Sequence, residues 1–280
     1  MINRVTGMFF SGTGTTEKIV TATAETIYGK IAGRFCDCSL ETVNFTPKSA
    51  RSKTYIFTEN DVVVFGTPVI AGRVPNVLLK FLNTIEGNGS LAVPVVLYGN
   101  RNFDDALIEL RNILEGRGFH TVAAAAFIGE HSFSKILAAG RPDDNDMTVC
   151  RDFAKAAADK ILSIDSSGII PAAITVEGQD PIRDYYKPRD RKGNFINILK
   201  VKPKLDESKC DGCGICVDAC PMGSISPGAP GIVDGICIKC CGCEKKCPKG
   251  ALYFDDAGYL YHKEELELGY PEPKEPSLFL

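Results

Sequence analysis

Through the first 162 residues, short runs of consecutive apolar residues alternate with longer stretches in which apolar positions recur three or four apart. The continuous runs predict strands over residues 5–10, 62–65, 93–98 and 122–128, with a weaker one at 40–45. A strand covered on both faces reads this way, because neither side of its pleat meets water. Between them a helical period spans residues 16–28, 75–84, 105–116 and 146–162, several opened by Asp, Thr or Pro, residues that favour helix starts. Regular alternation of strand and helix predicts an α/β fold, a parallel sheet sandwiched between helices.

The pattern stops at about residue 163. Residues 164–205 hold Pro171, Pro181, Pro188 and Pro203 and no sustained period, which reads as a linker or a wrapping segment. Their net charge is +3, with the basic residues gathered between Arg183 and Lys204, whereas residues 206–262 carry -3. The linker is therefore expected either to lie along the unit that follows it or to be a solvated basic coil. A chain of 280 residues has room for about two domains. Its 32 basic and 35 acidic residues nearly cancel, which argues against affinity built on phosphate neutralisation, so no nucleic acid partner is expected. No apolar run approaches the roughly 18 to 20 residues of a membrane span, and the chain starts into a strand rather than a signal peptide. A cytoplasmic protein is the expectation.

Cysteine distribution changes the picture most. Nine of the twelve fall between Cys210 and Cys247, which points to a metal site rather than a disulfide framework. Cys210, Cys213, Cys216, Cys220 and Pro221 recur as Cys237, Cys240, Cys243, Cys247 and Pro248, each shifted by 27 residues. Each copy reads C-x2-C-x2-C-x3-C-P, the run in which three thiolates hold one 4Fe-4S cluster and the fourth reaches across to another. Here the chain resembles the bacterial two-cluster ferredoxins. That resemblance implies Cys210, Cys213, Cys216 and Cys247 on a first cluster, and Cys237, Cys240, Cys243 and Cys220 on a second. Structural zinc is the competing reading, but zinc sites usually separate two C-x2-C pairs. Cys241 has no counterpart in the first copy, where Gly214 stands; it is expected to fill space, to tune the second cluster or to stand in as a ligand.

The first strand runs into Ser11, Gly12, Thr13, Gly14, Thr15 and Thr16 and then a helix. Exposed amides, short hydroxyls and the positive end of a helix together suit a phosphate. Gly7 and Gly12 have Walker spacing, but Thr13 stands where lysine belongs, and Glu17 occupies the third glycine of a dinucleotide fingerprint. A hydroxyl-rich loop without lysine suits FMN, and residues 1–163 resemble flavodoxin. The resemblance implies that the flavin ring is held by Thr67, Pro68, Val69, Ile70, Ala71 and Gly72 after one strand and by Tyr98, Gly99, Asn100, Phe103 and Asp104 after another. Gly72 is a candidate for a peptide that reorients toward the flavin, since glycine accepts either sign of φ. Arg73 and His131 are candidates for contact with the flavin edge or an anion, against plain surface or packing roles. Lone Cys36, Cys38 and Cys150 read as core thiols.

Over nearly its whole length the chain resembles the flavodoxin-ferredoxin fusion proteins of anaerobes. The resemblance implies a doubly wound five-stranded parallel sheet, residues 1–163, then a linker, then a small α+β two-cluster domain at 206–262. It also implies FMN and two 4Fe-4S clusters exchanging electrons, and on to partner redox enzymes that depend on ferredoxin or flavodoxin. The alternative is a flavin-dependent reductase, with the cysteine module feeding electrons inward; a redox sensor would need a signalling element, and none is visible. The acidic tail, 263–280, is expected to be a disordered end, against a flavin gate or a homodimer contact.

Overall fold

The computed structural model describes residues 2–35 and 37–280. Cys36 lies outside the described residues. Strands and helices alternate through the first part: β1 (Arg4–Phe9), α1 (Thr15–Ala32), β2 (Ser39–Asn44), β3 (Asp61–Pro68), α2 (Asn76–Leu82), β4 (Leu91–Tyr98), α3 (Ala106–Gly116), β5 (His120–Thr121), β6 (Ala124–Ile128) and α4 (Asp144–Ser167). Every predicted strand and helix of this part is present. The run predicted over 122–128 forms β6 from residue 124, with the short β5 just ahead of it, and the last helix continues four residues beyond 163 before Gly168 ends it in the left-handed region (φ 67°).

The main sheet has the order β2-β1-β3-β4-β6, all parallel, with β5 alongside the start of β4. This is the doubly wound flavodoxin order, and its strand order reverses at β1/β3. One core lies between the sheet and the α1/α4 layer, around Ile19, Val20, Phe127, Cys150 and Phe153. The other lies under α2 and α3 and is rich in rings, with Phe45 against both Phe65 and Phe81. Burying each such side chain contributes about 1.5–3 kcal/mol. Gly66 lets α1 sit close on β3, since a Cβ there would come within 2.2 Å of Val20 Cγ2. Cys38 and Cys150 are buried, and burial pushes both thiols above their ordinary pKa, as expected for core packing.

The remainder holds β7 (Lys204–Leu205), α5 (Ile215–Asp218), β8 (Ile225–Ser226), β9 (Ala229–Val233), α6 (Gly242–Lys245), β10 (Leu252–Tyr253), α7 (Ala257–Gly269) and β11 (Ser277–Phe279). Antiparallel pairs β7/β10 and β8/β9 frame the two short helices α5 and α6, one per cysteine run. The linker binds both units. Arg183 forks onto Asp105 at the start of α3, while Arg191 pairs with Glu265 on α7 and Lys204 with Asp255. Asp105 also accepts the N–H groups of Gln179 and Arg183. The Arg183 hydrogen bonds, only partly opposed by burial, hold its carboxyl down at about 2.

The tail corrects its expected disorder. β11 pairs antiparallel with β6, placing Ser277 beside Ala126 and Phe279 beside Ala124, so the sheet edge is covered by the chain's own end. Asn100 ties it down: its amide donates to the carbonyls of Tyr270 (2.8 Å) and Glu272 (2.9 Å), and its Oδ1 accepts from Lys274 N (3.0 Å). Asn100→Ala is expected to leave two carbonyls and an amide without these partners, costing about 1–3 kcal/mol. Hydrogen exchange in residues 270–279 should then accelerate well ahead of the central strands.

No helix among the described residues is long and apolar enough to cross a membrane.

Candidate functional site

At the carboxyl ends of β1 and β3, where doubly wound sheets leave a crevice, lies a cavity of about 270 Å³. The turn from β1 into α1 gives it Gly12, Thr13, Thr15 and Thr16; the end of β3 and the turn after it give Pro68 through Gly72; the end of β4 gives Tyr98, with Gly99 next. Gly14 caps α1 from the left-handed region, φ 102°. Ser11 Oγ accepts the N–H groups of Gly14 and Glu17, both at 3.1 Å, which shapes the turn from within. Among the described residues no hydrogen bond engages the N–H of Thr13, Thr15 or Thr16. The nearby Lys18 spends its ammonium on Pro142 O, so the turn offers amides, hydroxyls and a helix terminus without a cation. That donor set fits a phosphate monoester.

Thr67, Asn100, Phe103 and Asp104, also expected at the flavin, do not line this cavity. Asn100 gives its polar atoms to the tail. Phe103 packs on Tyr98, and Asp104 pairs with Arg101. Thr67 is buried with its hydroxyl unpartnered. Gly72 has φ +76° and Ala71 φ +53°. Ala71 O accepts Tyr186 N–H (2.8 Å) and Gly72 O accepts Asp105 N–H (3.0 Å), so turning the peptide between Ala71 and Gly72 breaks a hydrogen bond to the linker. Arg73 is structural: it forks onto Glu109, donates to Arg183 O and stacks on Tyr185.

The rest of the wall comes from segments distant in sequence. Glu130 to Phe133 follow β6; Tyr186, Pro188, Ile198 and Leu199 come from the linker; Ile238, Lys239 and Cys240 from the second cysteine run; His262 and Leu266 from α7. Of these only His131 and Cys240 carried a local signal. His131 Nδ1 accepts Phe133 N–H at 3.1 Å, which leaves the ring proton on Nε2. Burial, aided by Lys245, His262 and Arg101, pulls its pKa from 6.5 to about 4. The folded state therefore resists protonation that the unfolded chain accepts. Stability from this group is complete above about 6.5 and is lost as pH falls toward 4, a difference of about 3 kcal/mol. In denaturant titrations between pH 4 and 7, His131→Gln should flatten that part of the stability profile.

The cysteines gather in two sets. Cys210, Cys213, Cys216 and Cys247 border one small cavity; Cys220, Cys237, Cys240 and Cys243 border another, with Cys241. The fourth cysteine of each run thus sits with the first three of the other. Zinc holds its thiolates at about 2.3 Å from one centre, and among the described residues no three His, Cys, Asp or Glu groups converge as on a single ion. Burial pushes Cys240 up to about 11 and raises Cys216, Cys237 and Cys243. At Cys247 burial is outweighed by backbone amides, Ala251 foremost, and the thiol is lowered. Buried sulfurs at such spacing suit a ligand that displaces the protons as it binds. Cys241 is buried at φ +56°, its Sγ 3.4 Å from Tyr259 Oη, within a patch that includes Ile198 and Phe254.

The second set abuts the first cavity. A Cβ on Gly12 would lie 3.0 Å from Cys240 Cβ and 3.3 Å from its Sγ, and one on Gly242 only 2.6 Å from Gly12 O. Lys245 of α6 pairs with Glu130 and donates to the carbonyls of His131 (2.7 Å) and Ser134 (3.0 Å), latching the two units.

Residues 203–226, which include the first cysteine run, match the 4Fe-4S binding domain family. A 64-residue stretch is 42% identical to an uncharacterized protein of Methanocaldococcus jannaschii, covering 21% of this chain and 24% of that protein. The chain thus spans about a quarter of the length of that curated relative. Among solved structures, an oxidoreductase from Corynebacterium diphtheriae is 14% identical, at a TM-score of 0.43 over 58% of this chain and 98% of its own. Flavodoxin 2 from Bacillus cereus is 17% identical at a TM-score of 0.38, over 57% of this chain and 99% of its own. Rubredoxin oxygen:oxidoreductase from Desulfovibrio gigas is 16% identical at 0.41, over 57% of this chain and 36% of its own. The class is set by strand order and the cysteine module: a flavodoxin-like α/β domain fused to a 4Fe-4S binding domain.

Proposed function

We propose that this chain carries electrons between FMN and two 4Fe-4S clusters and passes them to separate redox enzymes. When bound, a flavin exchanges two electrons and each cluster one, so the set splits paired equivalents into singles. The turn of residues 11–16 would hold the FMN phosphate through its amides and hydroxyls, and the turns after β3 and β4 would hold the ring. Cys237, Cys240, Cys243 and Cys220 would hold the nearer cluster, and Cys210, Cys213, Cys216 and Cys247 the farther one.

One observation carries the reading: Ile238, Lys239 and Cys240 border both the flavin cavity and the second cysteine cavity, so a single stretch of three residues separates them. At the other end Cys213 is exposed, where a partner protein would reach the first cluster. The linker and α7 supply part of the wall of the flavin cavity. The rival reading, a reductase with its own small substrate, is weakened because Arg73 is consumed by Glu109 and Arg183.

Anaerobic spectroelectrochemistry with flavin, iron and sulfide counts tests the proposal. One flavin and two cubanes' worth of iron and sulfide per chain, reducible in sequence, is the expected result. A colourless or zinc-only preparation overturns it, and steady partner-free turnover of NAD(P)H would favour the reductase.

A further inference from the structure

The two cysteine runs share backbone geometry but not side chains. In the first, Gly212 and Gly214 have φ +74° and +76°; the residues 27 further on, Lys239 and Cys241, hold φ +54° and +56°. The same left-handed positions therefore carry glycine in the copy turned to solvent and side chains in the copy turned to the flavin cavity. Space does not explain the difference, since a Cβ on Gly212 or Gly214 would meet nothing within 4 Å. A lysine in that conformation is disfavoured, so its retention calls for a compensating role.

Lys239 is half-buried, in the partition between the two cavities. Its Nζ donates to Cys237 O at 2.9 Å and Leu199 O at 3.2 Å, one carbonyl from the second cysteine run and one from the linker over the flavin cavity. Among the described residues no carboxylate forms an ion pair with it. The ammonium is thus fixed by neutral carbonyls, with no carboxylate to offset its charge, and burial lowers its pKa from the ordinary lysine value. Reduction adds negative charge to a flavin or a cluster, and net charge and hydrogen bonding near a cluster set its potential.

We propose that Lys239 is an electrostatic positioning residue shared by two redox sites, raising the potentials of the flavin and the second cluster together and leaving the first cluster alone. This rests on the cofactor reading above. Matched shifts leave the gap between the two potentials unchanged, so the charge eases reduction of both sites without altering the driving force across the partition.

The test uses the anaerobic holoprotein and Lys239→Gly, which installs the first run's own residue at that φ and so relieves strain as it removes charge. Lys239→Arg is the rescue. In potentiometric titrations followed by visible and electron paramagnetic resonance spectra, Lys239→Gly should move the flavin and second-cluster midpoints to more negative values. The first-cluster midpoint should stay in place, and Lys239→Arg should restore the other two. A merely structural lysine would alter melting or flavin retention without this selective pair of shifts. Flavin and second-cluster midpoints that do not move, or three midpoints that move alike, overturn the proposal. A wild-type protein that holds no flavin or iron overturns the cofactor reading instead.

Discussion

Cys220→Ser is expected to remove the cluster nearer the flavin cavity while leaving the other in place, although Cys220 belongs to the first cysteine run. The reason is spatial. Cys220 borders the cavity of Cys237, Cys240 and Cys243, whereas Cys247, the last cysteine of the second run, borders that of Cys210, Cys213 and Cys216. A serine oxygen is a poor substitute for a thiolate on iron, so each variant should lose about half the bound iron and sulfide. The two losses differ in consequence. Without the second cluster, electrons entering at the flavin face a gap where Cys240 now touches Gly12, and stopped-flow reduction of the remaining cluster by reduced flavin should become undetectable. Cys247→Ser should instead preserve fast exchange between the flavin and the surviving cluster and abolish transfer to external acceptors. If Cys220→Ser leaves flavin-to-cluster exchange intact, either the crossed ligation or the order of transfer is wrong, and which cluster's spectrum is lost tells them apart.

That crossing was legible in the sequence only through family resemblance; local spacing puts Cys220 four residues from Cys216 and says nothing of Cys237. The sheet, by contrast, is written locally, because strands buried on both faces must be apolar throughout, and residues 62–65 and 93–98 are. The strand-to-helix turn proposed for the phosphate was equally readable as a turn, since it lies in six consecutive residues. What failed was everything set by the chain's return. Asn100 sits beside Tyr98 and Gly99 in sequence, yet its amide serves the tail, and a tail whose acidic, proline-containing sequence reads as disordered becomes an edge strand because β6 offers unpaired backbone groups. Tyr186, Leu199 and His262 lack any local motif. They reach the flavin cavity only because Arg183, Arg191 and Lys245 fasten the linker, α7 and α6 to their neighbours. At Arg73 the structural alternative holds: its partner, Glu109, lies 36 residues away on α3, so the sequence alone left its role open.

The same dependence makes iron loss the most damaging single event. One of the small domain's two buried clusters consists of Cys216, Cys243, Ile225 and Leu252, so half of it is proposed cluster ligand, and partly buried Cys220 packs against it. Domains of under about 60 residues bury too little apolar surface to be secure, and metal binding then supplies folding free energy directly. Oxidative destruction of the clusters should accordingly unfold residues 206–254 while the parallel sheet stays intact. The effect should spread to the flavin. Ile238, Lys239 and Cys240 would leave the cavity wall, and Lys245 would release Glu130 and the carbonyls of His131 and Ser134. Exchange mass spectrometry after controlled air exposure should show deprotection first in the β8/β9 hairpin and α6, then around Glu130 to Phe133, with β3 and β4 unchanged. Flavin fluorescence released to solvent should rise on the same time course as the loss of cluster absorbance near the visible edge, because one wall serves both sites. Clusters that bleach while residues 206–254 keep their protection and the flavin stays bound would mean that the small domain stands without its metal, and that the partition between the cavities is rigid on its own.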